Sequence, residues 1–224
     1  MIPRLCLVTD RRRLAAVAGC SIEAAADRLV QLAGAAAAAG VDILQVREPD
    51  LEARALVTLT RAIVAATAGS RCRVVVNDRL DVAVAAGAAG VHLKAASPPA
   101  AEVRRLLPQG ALVGRSVHDP EEAAGAGPVD YLVAGTVHPS PSKGAGAPTI
   151  GYGGLAAIVR HAAAPVLAIG GLDAGHWAAV RATGAAGMAG IGLFLPSPEA
   201  WRDGDPGGSA RHLRSIVDSP SVVP

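Results

Sequence analysis

Aromatic residues are scarce in this chain: two Trp, two Tyr and one Phe stand among 224 residues, of which 51% are hydrophobic. A large core is therefore available, and Val, Leu, Ile and Ala must fill most of it. Charge of one sign is missing too. The 21 Lys and Arg face 19 Asp and Glu, a net charge of +2, and they are spread along the chain. That weighs against nucleic acid as the main ligand. Cys6, Cys20 and Cys72 fit no metal spacing and cannot all pair, so they read as buried or incidental thiols of a reducing cytosol. Apolar stretches are broken by charge or glycine before roughly 18–20 residues, which excludes a membrane-spanning helix. No basic segment followed by an apolar one opens the chain, so no signal peptide is expected. These absences predict a soluble, cytoplasmic protein.

Short Val-, Leu- and Ile-rich runs occur near 4–8, 42–46, 73–77, 90–93, 111–115, 130–134, 165–169 and 187–192. Several are continuous rather than alternating, the pattern of parallel strands buried on both faces. Helical segments lie between them. Ser97-Pro98 and Asp119-Pro120 each read as a capping residue before a proline at the first helical position. Glu122 stands where a capping-box partner of Asp119 belongs, and Gly40, Gly87 and Gly184 follow Ala-rich segments as C-terminal glycines do. Strands alternating with helices predict one α/β domain over 1–218, a single (β/α)8 TIM barrel, with a frayed tail at 219–224. The competing doubly wound sheet usually has a glycine-rich first turn, whereas Val8-Thr9-Asp10 follows the first run here.

A barrel of this kind keeps its chemistry at the C-terminal strand ends. Those ends carry Asp10, Gln45, Arg47, Asn77, Asp78, His92, Lys94, Ser116, His118, the stretch 136–143, Gly170, Gly171 and Gly190-Ile191-Gly192. Glycines after strands seven and eight let backbone N–H groups approach a phosphate; the alternative is that they only make tight turns. Ser140-Pro141-Ser142-Lys143-Gly144 offers two hydroxyls and an ammonium to a phosphate or diphosphate on a lid-like loop, or is simply a solvated loop. Asp78, beside Asn77, is either a helix cap or an oxygen ligand for Mg²⁺. The cap is the better reading from the residues alone.

Together these stretches resemble the thiamin phosphate synthase superfamily, including its thiazole tautomerase (TenI-like) branch. The resemblance runs from Leu5 to about Phe194 through Leu5-Cys-Leu-Val-Thr-Asp10, Gln45-Val-Arg47-Glu48, Val76-Asn-Asp-Arg79, Gly90-Val-His-Leu93, Gly135-Thr-Val-His-Pro-Ser-Pro-Ser-Lys143 and Ala168-Ile-Gly-Gly171. It implies a thiazole phosphate as the small-molecule substrate, no nucleic-acid or membrane partner, and a small homo-oligomer. For the synthase branch, which joins an aminopyrimidine diphosphate to thiazole phosphate, it implies Mg²⁺ held by Asp78.

Two departures weaken that branch. Pro49 replaces the family lysine, and Ser97 replaces the family's metal-ligating aspartate, after Lys94-Ala95-Ala96. The tautomerase branch needs neither diphosphate nor cofactor, and Gly114-Arg-Ser-Val-His118 resembles its fifth strand. That resemblance makes His118 the residue that moves the proton, a task suited to imidazole. The leading expectation is a tautomerase-like isomerase with His118 as acid and base. Gln45, Arg47, Asn77, Ser116, Ser140, Ser142, Lys143, Gly170, Gly171, Ile191 and Gly192 would bind the substrate. A synthase, and a non-catalytic phosphate-binding relative, are the alternatives. His92 reads as a core histidine supporting the site, and His161, His176 and His212 as surface residues away from the strand tips.

Overall fold

The computed structural model of the chain describes residues 2–140, 146 and 148–219. Ser142, Lys143 and the tail beyond Ser219 fall outside the described residues. Eight parallel strands close on themselves in chain order: β1 (Leu5–Val8), β2 (Ile43–Val46), β3 (Arg73–Asn77), β4 (Gly90–Leu93), β5 (Leu112–Val117), β6 (Tyr131–Gly135), β7 (Val166–Ile169) and β8 (Gly187–Gly190). Leu5 lies opposite Met188, the contact through which β8 closes on β1. The closure rules out the open doubly wound sheet. Each apolar run became a strand because helices cover the outside and side chains fill the inside, so both faces are dry. The last strand stops at Gly190, where the chain tightens into a 3-10 turn over Gly192–Phe194.

Helices α1 (Arg11–Ala18) and α2 (Ile22–Ala38) follow β1. Then α3 (Ala53–Ala66), α4 (Leu80–Ala86), α5 (Ala100–Leu106), α6 (Pro120–Ala124), α7 (Gly151–His161) and α8 (Trp177–Ala182) alternate with the strands. After β8 come α9 (Pro198–Arg202) and α10 (Gly208–Asp218). Arg214 of α10 lies 3.1 Å from buried Asp42, whose carboxylate also accepts from the backbone N–H groups of Arg4 and Leu5. The final helix is thereby tied to the N-terminal rim of the barrel. Inside the barrel Cys6, Ile43, Val75, Tyr131 and Leu167 pack together. Tyr131 fits because Gly114 lies opposite it; a Cβ there would fall 2.2 Å from the phenol ring.

The helix signals were partly right. Asp119 caps α6 with Pro120 at its first position, and Gly40, Gly87 and Gly184 follow helices with positive φ. Ser97-Pro98 does not start a helix: α5 begins at Ala100, and the Ser97 hydroxyl is engaged elsewhere. Asp78 is not a cap either. Arg79 occupies the cap position of α4 without a side-chain capping bond, while Asp78 adopts φ +62°.

Candidate active site

Side chains alternate across a strand, so every second residue of each strand points into the barrel. Near the C-terminal ends of β2 to β5 the inward set is Gln45, Asn77, His92 and Ser116. All four line a cleft of about 300 Å³, joined by Arg47, Lys94, His118, Thr136, Ser140, Gly170 and Ile191. Gln45 Nε2 donates to Asn77 Oδ1 at 2.9 Å, bridging two adjacent strands across the floor. Arg47 is exposed at the rim, with its backbone N–H on Thr9 Oγ1 at 2.8 Å. Its neighbour Glu48 points away and is buried, accepting the Arg11 N–H at 3.1 Å, and burial raises the Glu48 carboxyl pKa. Asp10 caps α1 by accepting from the Arg13 N–H at 2.9 Å.

His118 stands one residue beyond β5. Its Nδ1 lies 3.0 Å from Glu122 Oε2, and its backbone N–H donates to the same oxygen at 2.7 Å. Glu122 was expected to complete a capping box on Asp119; instead it reaches one residue further back and grips His118. With Nδ1 donating to that carboxylate, Nε2 is left as the acceptor, the form required of a base.

His92 is fully buried, with Nδ1 3.1 Å from Tyr131 Oη and Nε2 2.9 Å from Ser116 Oγ. Burial lowers its pKa to about 3, and burial likewise holds the Tyr131 phenol protonated. A neutral relay therefore runs from the barrel interior to Ser116, fixing the hydroxyl that faces the cleft. His92 has the supporting role its sequence position suggested.

Asp78 faces the β4–α5 loop. Lys94 Nζ lies 2.6 Å from its Oδ2, and the Ser97 hydroxyl donates to its Oδ1. Partial burial opposes ionisation, but the bonds from Lys94 and Ser97 and the Lys94 charge prevail and hold the carboxyl below its usual range. The loop itself is clamped by Arg115 on the outer face of β5, which donates to Ser97 O at 2.6 Å and Pro98 O at 2.8 Å. A magnesium ion does not fit this donor set. Hard dications take several oxygen ligands, yet here one carboxylate is already neutralised by an ammonium that would repel the ion. No group of three or more His, Cys, Asp or Glu side chains placed to hold a metal occurs among the described residues.

A second hollow adjoins the cleft through Ser140, Ile169, Gly170 and Ile191, and is completed by Gly171, Leu172, Ala189, Gly190, Gly192 and Arg13. Gly171 has φ +62°, and a Cβ on it would fall 2.5 Å from Pro139 O, so close backbone packing already requires a glycine there. Glycine alone therefore does not decide between turn and phosphate cradle. Arg13 was not anticipated. Arg11-Arg12-Arg13 gives no hint of which guanidinium turns inward, because that depends on where α1 starts and how it sits against β8. His176 was placed away from the strand tips, but its ring centroid is 5.3 Å from that of His138, in the 3-10 turn that follows β7. Among the described residues, the cysteines form no disulfide, and no helix is long and apolar enough to cross a membrane.

Comparison with known proteins agrees with this architecture. A family model described as thiamine monophosphate synthase matches residues 14–194. The thiamine-phosphate synthase of Azorhizobium caulinodans is 36% identical over 217 residues, covering 96% of this chain and 95% of that one. A putative thiamine-phosphate synthase of Geobacter sulfurreducens is 38% identical over 215 residues, covering 95% and 93%. Among solved structures, a thiamine phosphate pyrophosphorylase from Pyrococcus furiosus superposes with a TM-score of 0.77 at 28% identity, covering 96% and 95%.

Proposed function

The chain belongs to the thiamine monophosphate synthase family, and on that premise we propose that it acts on a thiazole phosphate as a tautomerase. The reaction removes a proton at one position and returns one at another, so atoms and charge balance without a co-reactant. The observation that carries this reading is the His118–Glu122 pair at the cleft, 3.0 Å apart. Glu122 holds Nδ1 as the donor and stabilises the imidazolium that forms once Nε2 has taken the substrate proton. The same nitrogen then returns a proton to the aromatic product. Ser116, held by His92, fixes the ring beside His118, while Gln45 and Asn77 present amide groups to it. Lys143 and Ser142 are assigned to closure over the substrate by family resemblance alone.

A second reading is ligation of an aminopyrimidine diphosphate to thiazole phosphate, favoured by the synthase names of both relatives. In that reaction Arg47 and Lys94 would face the diphosphate. A time course with each substrate decides. Conversion of the non-aromatic thiazole carboxylate phosphate, read by its ultraviolet spectrum and lost in His118→Ala, supports the tautomerase. Formation of thiamin phosphate from the two ligation substrates, with no tautomerisation, establishes the synthase instead. Binding of thiazole phosphate with neither turnover leaves a non-catalytic relative.

A further inference from the structure

We infer that Arg13 is the cation of the phosphate subsite and the residue that makes the enzyme require a phosphorylated ligand. The inference deepens the reading that a thiazole phosphate binds here, and it rests on that reading for the identity of the ligand. Three arginines open α1, and they do different things. Arg11 donates to Asp50 at 2.7 Å, and Arg12 pairs with the same carboxylate at 2.7 Å. Arg13 has no carboxylate partner among the described residues. Its guanidinium instead borders the hollow after β7 and β8, close enough that a Cβ on Gly192 would lie 3.0 Å from Nη2. Among the described residues, no carboxylate side chain lines that hollow.

A half-buried guanidinium without a counter-charge among the described residues, facing a hollow of glycine backbone, is matched by an anion. The planar fork of arginine suits two phosphate oxygens at once. The backbone that carries the side chain is well anchored. Asp10 fixes the Arg13 N–H at 2.9 Å, and buried Glu48 fixes the preceding turn through the Arg11 N–H. Little backbone ordering is therefore left to occur on binding. Because Ser140, Ile169, Gly170 and Ile191 belong to both cavities, a phosphate beside Arg13 leaves its attached ring in the cleft with Ser116 and His118.

The test is calorimetric titration of wild type, Arg13→Ala, Arg13→Lys and Arg12→Ala with inorganic phosphate, thiazole phosphate and the unphosphorylated thiazole alcohol. Thermal melts verify that each variant is folded. Arg13→Ala is expected to bind both phosphate ligands roughly 10- to 100-fold more weakly. Its affinity for the alcohol should not change, Arg13→Lys should recover part of the loss, and Arg12→Ala should match wild type. Equal phosphate affinity in wild type and Arg13→Ala overturns the inference and leaves the thiazole phosphate reading standing. Arg13-dependent binding of inorganic phosphate without any binding of thiazole phosphate does the reverse. A wild type that binds no phosphate ligand overturns both.

Discussion

Lys94 Nζ lies 2.6 Å from Asp78 Oδ2, so the carboxylate that the synthase alternative would give to a metal meets an ammonium from the same chain. The pair contributes little to stability. Lys94 is 61% and Asp78 29% exposed, and a bridge so open to water is worth about 0–1 kcal/mol. Its consequence is electrostatic: the Asp78 carboxylate is already neutralised by a cation at the cleft. Wild type should accordingly show no Mg²⁺-dependent rise in melting temperature and no loss of activity in EDTA. The double variant Lys94→Ala/Ser97→Asp places two carboxylates together and should gain Mg²⁺-dependent stabilisation. A wild-type melt that shifts with Mg²⁺ refutes this account.

His118→Ala should lower kcat by about 10²- to 10⁴-fold, the range for loss of a general acid–base, with a small change in KM. Glu122→Gln keeps the shape of the carboxylate but not its charge, so its loss should be smaller and confined to kcat. Steady-state kinetics of the two variants separate chemistry from binding. A rise in KM alone for His118→Ala would make the residue a binding group.

The barrel was legible because eight apolar runs, each ending in polar or glycine residues, leave few other arrangements in which both faces of every strand are buried. The inward set Gln45, Asn77, His92 and Ser116 follows from the same alternation. What escaped depends on where a loop crosses another. Ser97-Pro98 has the composition of a helix start, yet Arg115 pins its carbonyls and Asp78 takes its hydroxyl. Glu122 has capping-box spacing, and only the approach of His118 shows which N–H it accepts. Arg13 was indistinguishable from its two neighbours until α1 had a fixed rotation. Local pattern carries the fold, whereas the Ser97 and Arg13 placements are set by elements distant in sequence, and Glu122 chooses between neighbouring N–H groups that its spacing alone does not distinguish.

His92 gives the protein an acid-side instability. The folded chain keeps the imidazole neutral down to about pH 3, whereas the unfolded chain takes up a proton near the ordinary histidine value of 6.5. The unfolded state therefore binds more protons between those values, and stability falls as pH drops through that window, by at most about 1.4 kcal/mol per pH unit. Glu48 works in the opposite sense just above its ordinary range, since its raised pKa makes the folded state the better proton binder there. The His92 slope is cleanest at the top of the window, just below pH 6.5, farthest from the ordinary carboxylate range. Urea unfolding across it should show the slope in wild type and a flatter dependence in His92→Asn. Equal slopes would mean that another group titrates.

Arg115 is the keystone of the Lys94 loop, and its effect should differ from that of the residues it positions. Its guanidinium, on a side chain with little exposure, gives Nη2 to two carbonyls and Nε to Lys94 O at 3.4 Å. Removing it takes a charged donor away from those partly buried carbonyls, a cost of about 1.5–3 kcal/mol at the rate usual for bonds to a charged group. Lysine cannot span them, because one ammonium does not reproduce a rigid fork. Both Arg115→Ala and Arg115→Lys should therefore unfold at lower urea, and the amides of 94–98 should exchange faster in the folded state of each. Lys94→Ala, by contrast, should change the charge at the cleft while leaving the urea midpoint within about 1 kcal/mol of wild type. If Arg115→Lys retains wild-type stability and exchange, the loop is held by its own turn and not by the guanidinium.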